Sequence, residues 1–208
     1  MRPERLVVVL GTSTGVGKTW ATAKVAARLK AGGTTVAARK PVQSHAPCDL
    51  ETDARLLALA TGESPRDVCP PHRWFGIAMA PPIAAAFLGI EPPALGELLA
   101  ELEWPPDRVR VGLVETVGGP RSPLAGDADS AALASAIEAD LVVLVAHAGL
   151  GAINAVRLCA PVVPGPLVVF LNRFDGGDVH DRNRRWLQAE GFDVVVDVAE
   201  LARLVAGP

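Results

Sequence analysis

The 208-residue chain predicts an α/β fold: a doubly wound, mostly parallel sheet with helices on both faces. Apolar runs alternate along it with helical patterns. Several runs, such as LVVVL at 6–10 and LVVLVA at 141–146, are Val/Leu-rich without a polar alternation, as in parallel strands buried on both faces. Half of the residues are hydrophobic, enough for a sizeable core.

The elements follow in order. A strand at 5–10 runs into Gly11 and a turn of small residues, and a helix then covers 17–31. The next strand, 35–39, ends at Lys40-Pro41, because proline has no N–H to continue the ladder. A helix is expected at 52–61; the stretch 62–82, rich in Pro, Gly and His, reads as a long loop. Helices at 81–88 and 94–102 precede a strand at 110–115, and a helix at 128–138 leads to the strand 140–146. The helix 151–160 precedes the strand 166–171, the helix 180–190 precedes the strand 192–196, and a helix at 198–206 follows. The crossover after Ala155 is short and leaves little room for a helix. This strand–helix order describes a single α/β domain over 1–208. Ligands of such sheets lie beyond the carboxyl ends of the strands, which directs attention to 11–19, 40–53, 115–123, 147–154 and 172–178.

The bulk properties exclude several classes. A net charge of −3 and the lack of a basic run argue against nucleic acid. No apolar stretch is long enough for a membrane span, and the start, MRPERLVVVLG, lacks the pattern of a secretory leader. Cysteines 48, 69 and 159 are odd in number and scattered, which fits a reducing cytoplasm better than a disulfide framework. Histidines 45, 72, 147 and 180 are too dispersed to suggest a metal site. Arginine outnumbers lysine sixteen to four, so a lysine here marks a place that needs a compact, flexible ammonium. Lys18 and Lys40 are the candidates; Lys24 and Lys30 read as the outer side of a helix.

The segment GTSTGVGKT at 11–19 carries the chemistry. The usual phosphate-loop spacing, G-x-x-x-x-G-K-[ST], asks for glycine at 12, where Thr12 stands; glycine is at 11, so this loop is one residue longer. Gly15 and Gly17 let backbone N–H groups converge on an anion, and the opening of the helix adds its positive end. Lys18 can reach the β- and γ-phosphates and Thr19 can ligate Mg²⁺. Partitioning ATPases with a similar loop carry a second lysine where this chain has Ser13.

The extended loop, followed by RKPVQS, LVETVGG, MAPPIAAA and GLGAINA in that order, resembles the dethiobiotin synthetase family over roughly 6–172. The resemblance implies a cytoplasmic homodimer with a P-loop α/β fold. The implied reaction joins CO₂ to 7,8-diaminopelargonic acid with ATP and Mg²⁺, through a carbamate and a carbamic–phosphoric anhydride. It also implies roles. Lys18 and Lys40 neutralise the transferring phosphate, with Thr14 and Ser44 beside the diamine and carbamate. Gly15, Val16, Gly17, Lys18, Thr19, Trp20 and Asn172 surround the nucleotide, Asn172 at the adenine. Thr19, Asp53 and Glu115 hold the metal, with Asp49 and Glu51 as nearby competitors for Asp53. Pro81 shapes the substrate pocket, and Gly151, Ile153 and Asn154 meet the substrate carboxylate across the dimer interface, although Asn154 could equally be a helix cap.

The chain departs from that pattern at Thr116, where the family usually has glycine and a Cβ is expected to crowd the phosphate side, and at Ala155 in place of a common histidine. No proline stands in the last loop, DVVVDVAELA. Two other readings remain at this stage: a diverged P-loop ligase or kinase acting on another amine or carboxylate, and a P-loop switch ATPase that binds a protein partner.

Overall fold

A computed structural model of the protein describes residues 1–207. Among them, six parallel strands form the central sheet: β1 (Arg5–Gly11), β2 (Val36–Arg39), β5 (Val111–Glu115), β6 (Leu141–His147), β7 (Leu167–Asn172) and β8 (Val194–Val195), in the spatial order β2-β5-β1-β6-β7-β8. Two further strands, β3 (Gln43–Ser44) and β4 (Trp74–Phe75), pair with each other outside it.

The alternation of side chains along β1 divides the core. Val7 and Val9 face the layer of α1 (Lys18–Ala31), α2 (Asp53–Thr61) and α9 (Val198–Ala206), which contributes Ala21, Val25, Leu57 and Leu201. Leu6, Val8 and Leu10 face α4 (Pro81–Phe87), α5 (Leu95–Ala100) and α6 (Ser130–Ala136), where Ala84, Leu98 and Leu133 pack. Further along, Ala146 and Leu171 meet α7 (Ala152–Cys159) and α8 (Asp178–Ala189) through Val156 and Leu187. Burial on both faces explains why the strands read as unbroken apolar runs. The expected strands and helices are present, with ends shifted by a few residues.

One expectation needs correction. The stretch 62–82 is not a structureless loop: it holds α3 (Pro65–Val68), a 3₁₀ turn at Pro71–Arg73, and β4. Ser64 caps α3, accepting from the Arg66 N–H at 3.3 Å, with Pro65 at the first helical position. The helix expected at 151–160 is present as α7, and a 3₁₀ turn at Ala160–Val162 then brings the chain to β7 in few residues.

The edge at β2 is closed by side chain and loop. Glu63 Oε2 accepts from the Ala38 N–H at 2.8 Å, and the Lys40 N–H donates to the Val68 carbonyl at 2.7 Å. These contacts satisfy an edge that would otherwise be open to pairing, and they hold the strand end that carries Lys40.

Gly112, in β5 between Leu6 of β1 and Ala37 of β2, is glycine for reasons of space. A Cβ there would lie 2.4 Å from Pro3 Cγ and 2.7 Å from Trp104 Cη2. Gly112→Ala is therefore expected to lower stability by about 1–3 kcal/mol through overpacking, read as a lower urea midpoint; an unchanged midpoint would contradict this packing.

Candidate active site

The phosphate loop begins where β1 ends. A Cβ on Gly11 would press to 2.8 Å from the Ser13 carbonyl and 3.0 Å from that of Gly118, so glycine at 11 lets the loop backbone lie against the turn after β5. Gly15 and Gly17 take φ of 77° and 93°, the left-handed region that an L side chain resists. α1 then starts at Lys18 with Gly17 as N-cap and no side chain on its first N–H groups, which leaves them for an anion. Asn172, at the end of β7, ties the loop down: its Nδ2 donates to the Val16 carbonyl at 2.8 Å, while its Oδ1 accepts from the Arg173 N–H at 2.9 Å.

Four charged groups meet beside this loop. The Lys40 ammonium is 2.8 Å from Asp53 Oδ2 and from Glu115 Oε1, and 2.9 Å from the Thr116 carbonyl. Lys40 is 2% exposed and Glu115 is fully buried. Burial would lower the Lys40 pKa, but the two carboxylates override it and raise the ammonium above its ordinary value. Burial would likewise raise the Asp53 carboxyl; Lys40, followed by Thr19 and Lys18, holds it below the usual carboxylate range. Lys18 folds back toward the Ser13 carbonyl at 3.4 Å, and burial together with the Lys40 charge pushes its pKa down to about 8, against Glu115 and Asp53.

The oxygens of this cluster outnumber its protons. Thr19 carries one hydroxyl proton, yet its Oγ1 is 2.7 Å from Asp53 Oδ1 and 2.8 Å from Glu115 Oε1. One of those contacts sets oxygen against oxygen with no hydrogen between them. Glu115 Oε2 is buried without a hydrogen-bond partner. Three hard oxygens with a proton deficit fit a hard divalent cation that keeps several waters and completes its shell on phosphate. No group of three or more His, Cys, Asp or Glu arranged for a metal occurs among the described residues, so such an ion would rest on these two carboxylates and the hydroxyl. Asp53 is the residue in place; Asp49 caps its own turn by accepting from the Ala46 N–H, and Glu51 is exposed.

The strand end that delivers Lys40 is anchored behind the site. Arg39 pairs with Glu63 at 2.7 Å, donates to the Glu103 carbonyl, and stacks its guanidinium 4.9 Å from the Trp104 ring centre.

These groups open on a cavity of about 510 Å³. Thr14, Gly15, Gly17, Lys18, Thr19, Lys40, Ser44, Asp53 and Pro81 line it, with Glu115 behind Lys40 and Thr19. Gln43, Val117, Gly118 and Ser122 line it as well and were not singled out from the sequence. Ser44 Oγ donates to the Met79 carbonyl at 2.5 Å and so joins the wall that leads to Pro81. The Thr116 side chain does not crowd this space: it is buried, with its Oγ1 3.3 Å from the Val9 carbonyl in the sheet. Gly151, Ile153 and Asn154 line a separate depression, with the N-cap of α7 at Gly151 and not at Asn154. Trp20 is 47% exposed on α1, and Val16 is buried beneath the loop.

A phosphate loop at the carboxyl edge of a parallel sheet, with two lysines, two carboxylates and a threonine hydroxyl on one cavity, defines a P-loop nucleotide-binding protein. A family model described as an AAA domain matches residues 5–163. The ATP-dependent dethiobiotin synthetase BioD of Haloferax mediterranei is 35% identical over 180 residues, covering 84% of this chain and 74% of that protein. The synthetase of Aquifex aeolicus is 33% identical over 180 residues, covering 85% and 80%. The chain belongs to the dethiobiotin synthetase family. Two solved structures share the fold at low identity: a putative plasmid partition protein of Borrelia burgdorferi bound to AMPPNP, with TM-score 0.57, 12% identity and coverage of 93% and 85%, and pNOB8 ParA, with TM-score 0.54, 15% identity and coverage of 92% and 80%.

The lowered Lys18 pKa has a consequence for stability. Between about 8 and its unfolded value of 10.5 the folded state binds fewer protons than the unfolded one, so stability rises with pH across that window. The penalty is fully present below about pH 8 and is gone above 10.5. Lys18→Met is therefore expected to stabilise the nucleotide-free protein at pH 7 by about 3 kcal/mol, with the gain shrinking to nothing by about pH 10.5. Urea titrations across this range would read it, and a gain that did not change with pH would refute it.

Proposed function

We propose that the chain is an ATP-dependent dethiobiotin synthetase that closes 7,8-diaminopelargonate and CO₂ into a cyclic urea in biotin biosynthesis. The observation that carries this reading is the meeting, on one cavity, of the phosphate loop, the buried Lys40 and the Ser44–Pro81 wall. The phosphate-loop residues of that cavity suit a triphosphate, and the Ser44–Pro81 wall leaves room for the diamine.

The amine takes up CO₂ to form a carbamate and releases a proton. A carbamate oxygen attacks the γ-phosphorus and ADP leaves, giving the carbamic–phosphoric anhydride. The second amine then attacks the carbonyl carbon and expels phosphate. Negative charge grows on phosphate oxygens in the first transfer and on the leaving phosphate in the second, so the site needs fixed cations more than a strong base. Lys18 and the Gly15–Lys18 N–H groups hold the β- and γ-phosphates. Lys40 lies where carbamate and γ-phosphate must meet, and its ammonium, held charged by Asp53 and Glu115, serves the oxygens of both. Thr14 and Ser44 position the amine side. Thr19, Asp53 and Glu115 would hold Mg²⁺, which when bound would supply charge neutralisation to the phosphates.

We also infer a cytoplasmic homodimer. Leu150, 91% exposed, and Leu158 stand beside Gly151–Asn154, an apolar surface suited to burial against a second copy. No helix among the described residues is long and apolar enough to cross a membrane, and the three cysteines are free. Sedimentation showing only monomer in a fully active preparation would remove the dimer from this reading.

The test of the reaction is incubation with ATP, Mg²⁺, bicarbonate and 7,8-diaminopelargonate, followed by mass detection of the ureido product. Lys40→Met should lower its kcat by about 10²–10³-fold, as for the loss of one transition-state donor, while AMPPNP affinity changes little. The absence of ureido product from the unaltered protein would sink the proposal.

A further inference from the structure

Gln43, on the cavity wall, has a side-chain amide whose hydrogen bonding is half complete. It sits in β3, is 2% exposed, and lines the cavity with Lys40, Ser44 and Asp53. Its Oε1 accepts from the Ala54 N–H, in the first turn of α2, at 3.0 Å. Its Nε2 is buried with no partner. The orientation of the amide follows from chemistry: the Ala54 N–H can only donate, so the oxygen must face it and the NH₂ end is left over. A buried NH₂ without an acceptor is costly, and native proteins keep few of them.

The missing partner is an acceptor. Both Asp53 oxygens and Glu115 Oε1 serve Lys40 and Thr19, the Met79 carbonyl takes the Ser44 hydroxyl, and the remaining Glu115 Oε2 makes no hydrogen bond to the amide. Two anionic ligands enter the cavity under the proposed reaction, the γ-phosphate and the carbamate. The phosphate has the loop N–H groups and Lys18 at its own end. Gln43 lines the same cavity, next to Ser44 in the chain, with its amide held at Ala54 beside Asp53. A neutral donor there can hold a second carbamate oxygen while the first faces phosphorus. It adds no charge to a cluster already balanced by two lysines and two carboxylates.

We propose that Gln43 donates a hydrogen bond from Nε2 to an oxygen of the carbamate formed on the substrate amine, and so selects the carboxylated substrate over the free diamine. The proposal rests on the synthetase reading. It adds a specificity contact that the sequence motifs did not mark.

Two substitutions test it in the full-length protein. Gln43→Glu keeps the oxygen that Ala54 uses and turns the donor into an acceptor; Gln43→Met keeps the length and removes both. Thermal melting and circular dichroism report whether each folds, and Gln43→Glu retains the structural bond if Gln43→Met does not fold. AMPPNP affinity with Mg²⁺ reads the phosphate end. The carbamate end is read by kcat/KM for diaminopelargonate, and by magnetic resonance of the carbamate formed from isotope-labelled CO₂ with AMPPNP bound. The expected result is AMPPNP affinity within about twofold of the unaltered protein, with kcat/KM and carbamate occupancy lower by about tenfold or more, the effect of one lost hydrogen bond to a charged group. The larger loss is expected for Gln43→Glu. Parallel loss of AMPPNP affinity would assign the amide to phosphate and overturn the proposal, as would unchanged carbamate occupancy in a folded variant. A lack of ureido product from the unaltered protein would instead overturn the reaction itself, so the two failures are distinct.

Discussion

The site depends on one buried ammonium. Lys40 has almost no contact with water, and a charge in that position persists only if paired. Asp53 and Glu115 supply the pairing from two different elements, the first turn of α2 and the end of β5. The edge strand, the helix beside it and the neighbouring strand must therefore all arrive at one point. Loss of both carboxylates would leave an uncompensated charge inside the protein, a far larger cost than the pairing itself contributes. The same carboxylates crowd the Thr19 hydroxyl and create the proton deficit that suits a cation. Internal charge balance and readiness for a metal thus come from one arrangement.

The parallel sheet makes this convergence possible. Its strands run in the same direction, so Gly11, Lys40, Glu115 and Asn172 all emerge on one rim. The loop after β1 lies at that rim between the turns that follow β5 and β6. Anchoring is placed behind it: Arg39, Glu63 and Trp104 fix the β2 end from outside the cavity. The catalytic face can then remain open without its lysine being mobile.

The sheet was legible because burial on both faces writes itself into the chain as unbroken Val/Leu runs, and the loop was legible because anion binding demands glycines at set positions. Lys18 and Lys40 stood out against an arginine-rich background, and the structure brings both to the cavity. What was not legible is tertiary in origin. The two-residue strands β3 and β4 exist because they pair with each other, and neither has a local signal. The Ser64-Pro65 pair was a readable start for α3, hidden by the surrounding prolines. Thr116 was expected to intrude on the phosphate side, but a side chain's direction depends on the face its strand presents, and here it turns toward Val9. Gln43 had no role of its own within RKPVQS; only burial and an absent partner mark it out.

The Asn172 tether joins residues that are far apart in the chain. A Cβ on Gly17 would fall 2.1 Å from Asn172 Nδ2, so the amide occupies the space that glycine leaves open. It holds the Val16 carbonyl from the same place. Glycine at 17 is therefore fixed twice over, by the amide that fills its space and by a φ of 93° that no smaller residue at 172 would relax. A lineage that trims residue 172 loosens the loop but gains no freedom at 17.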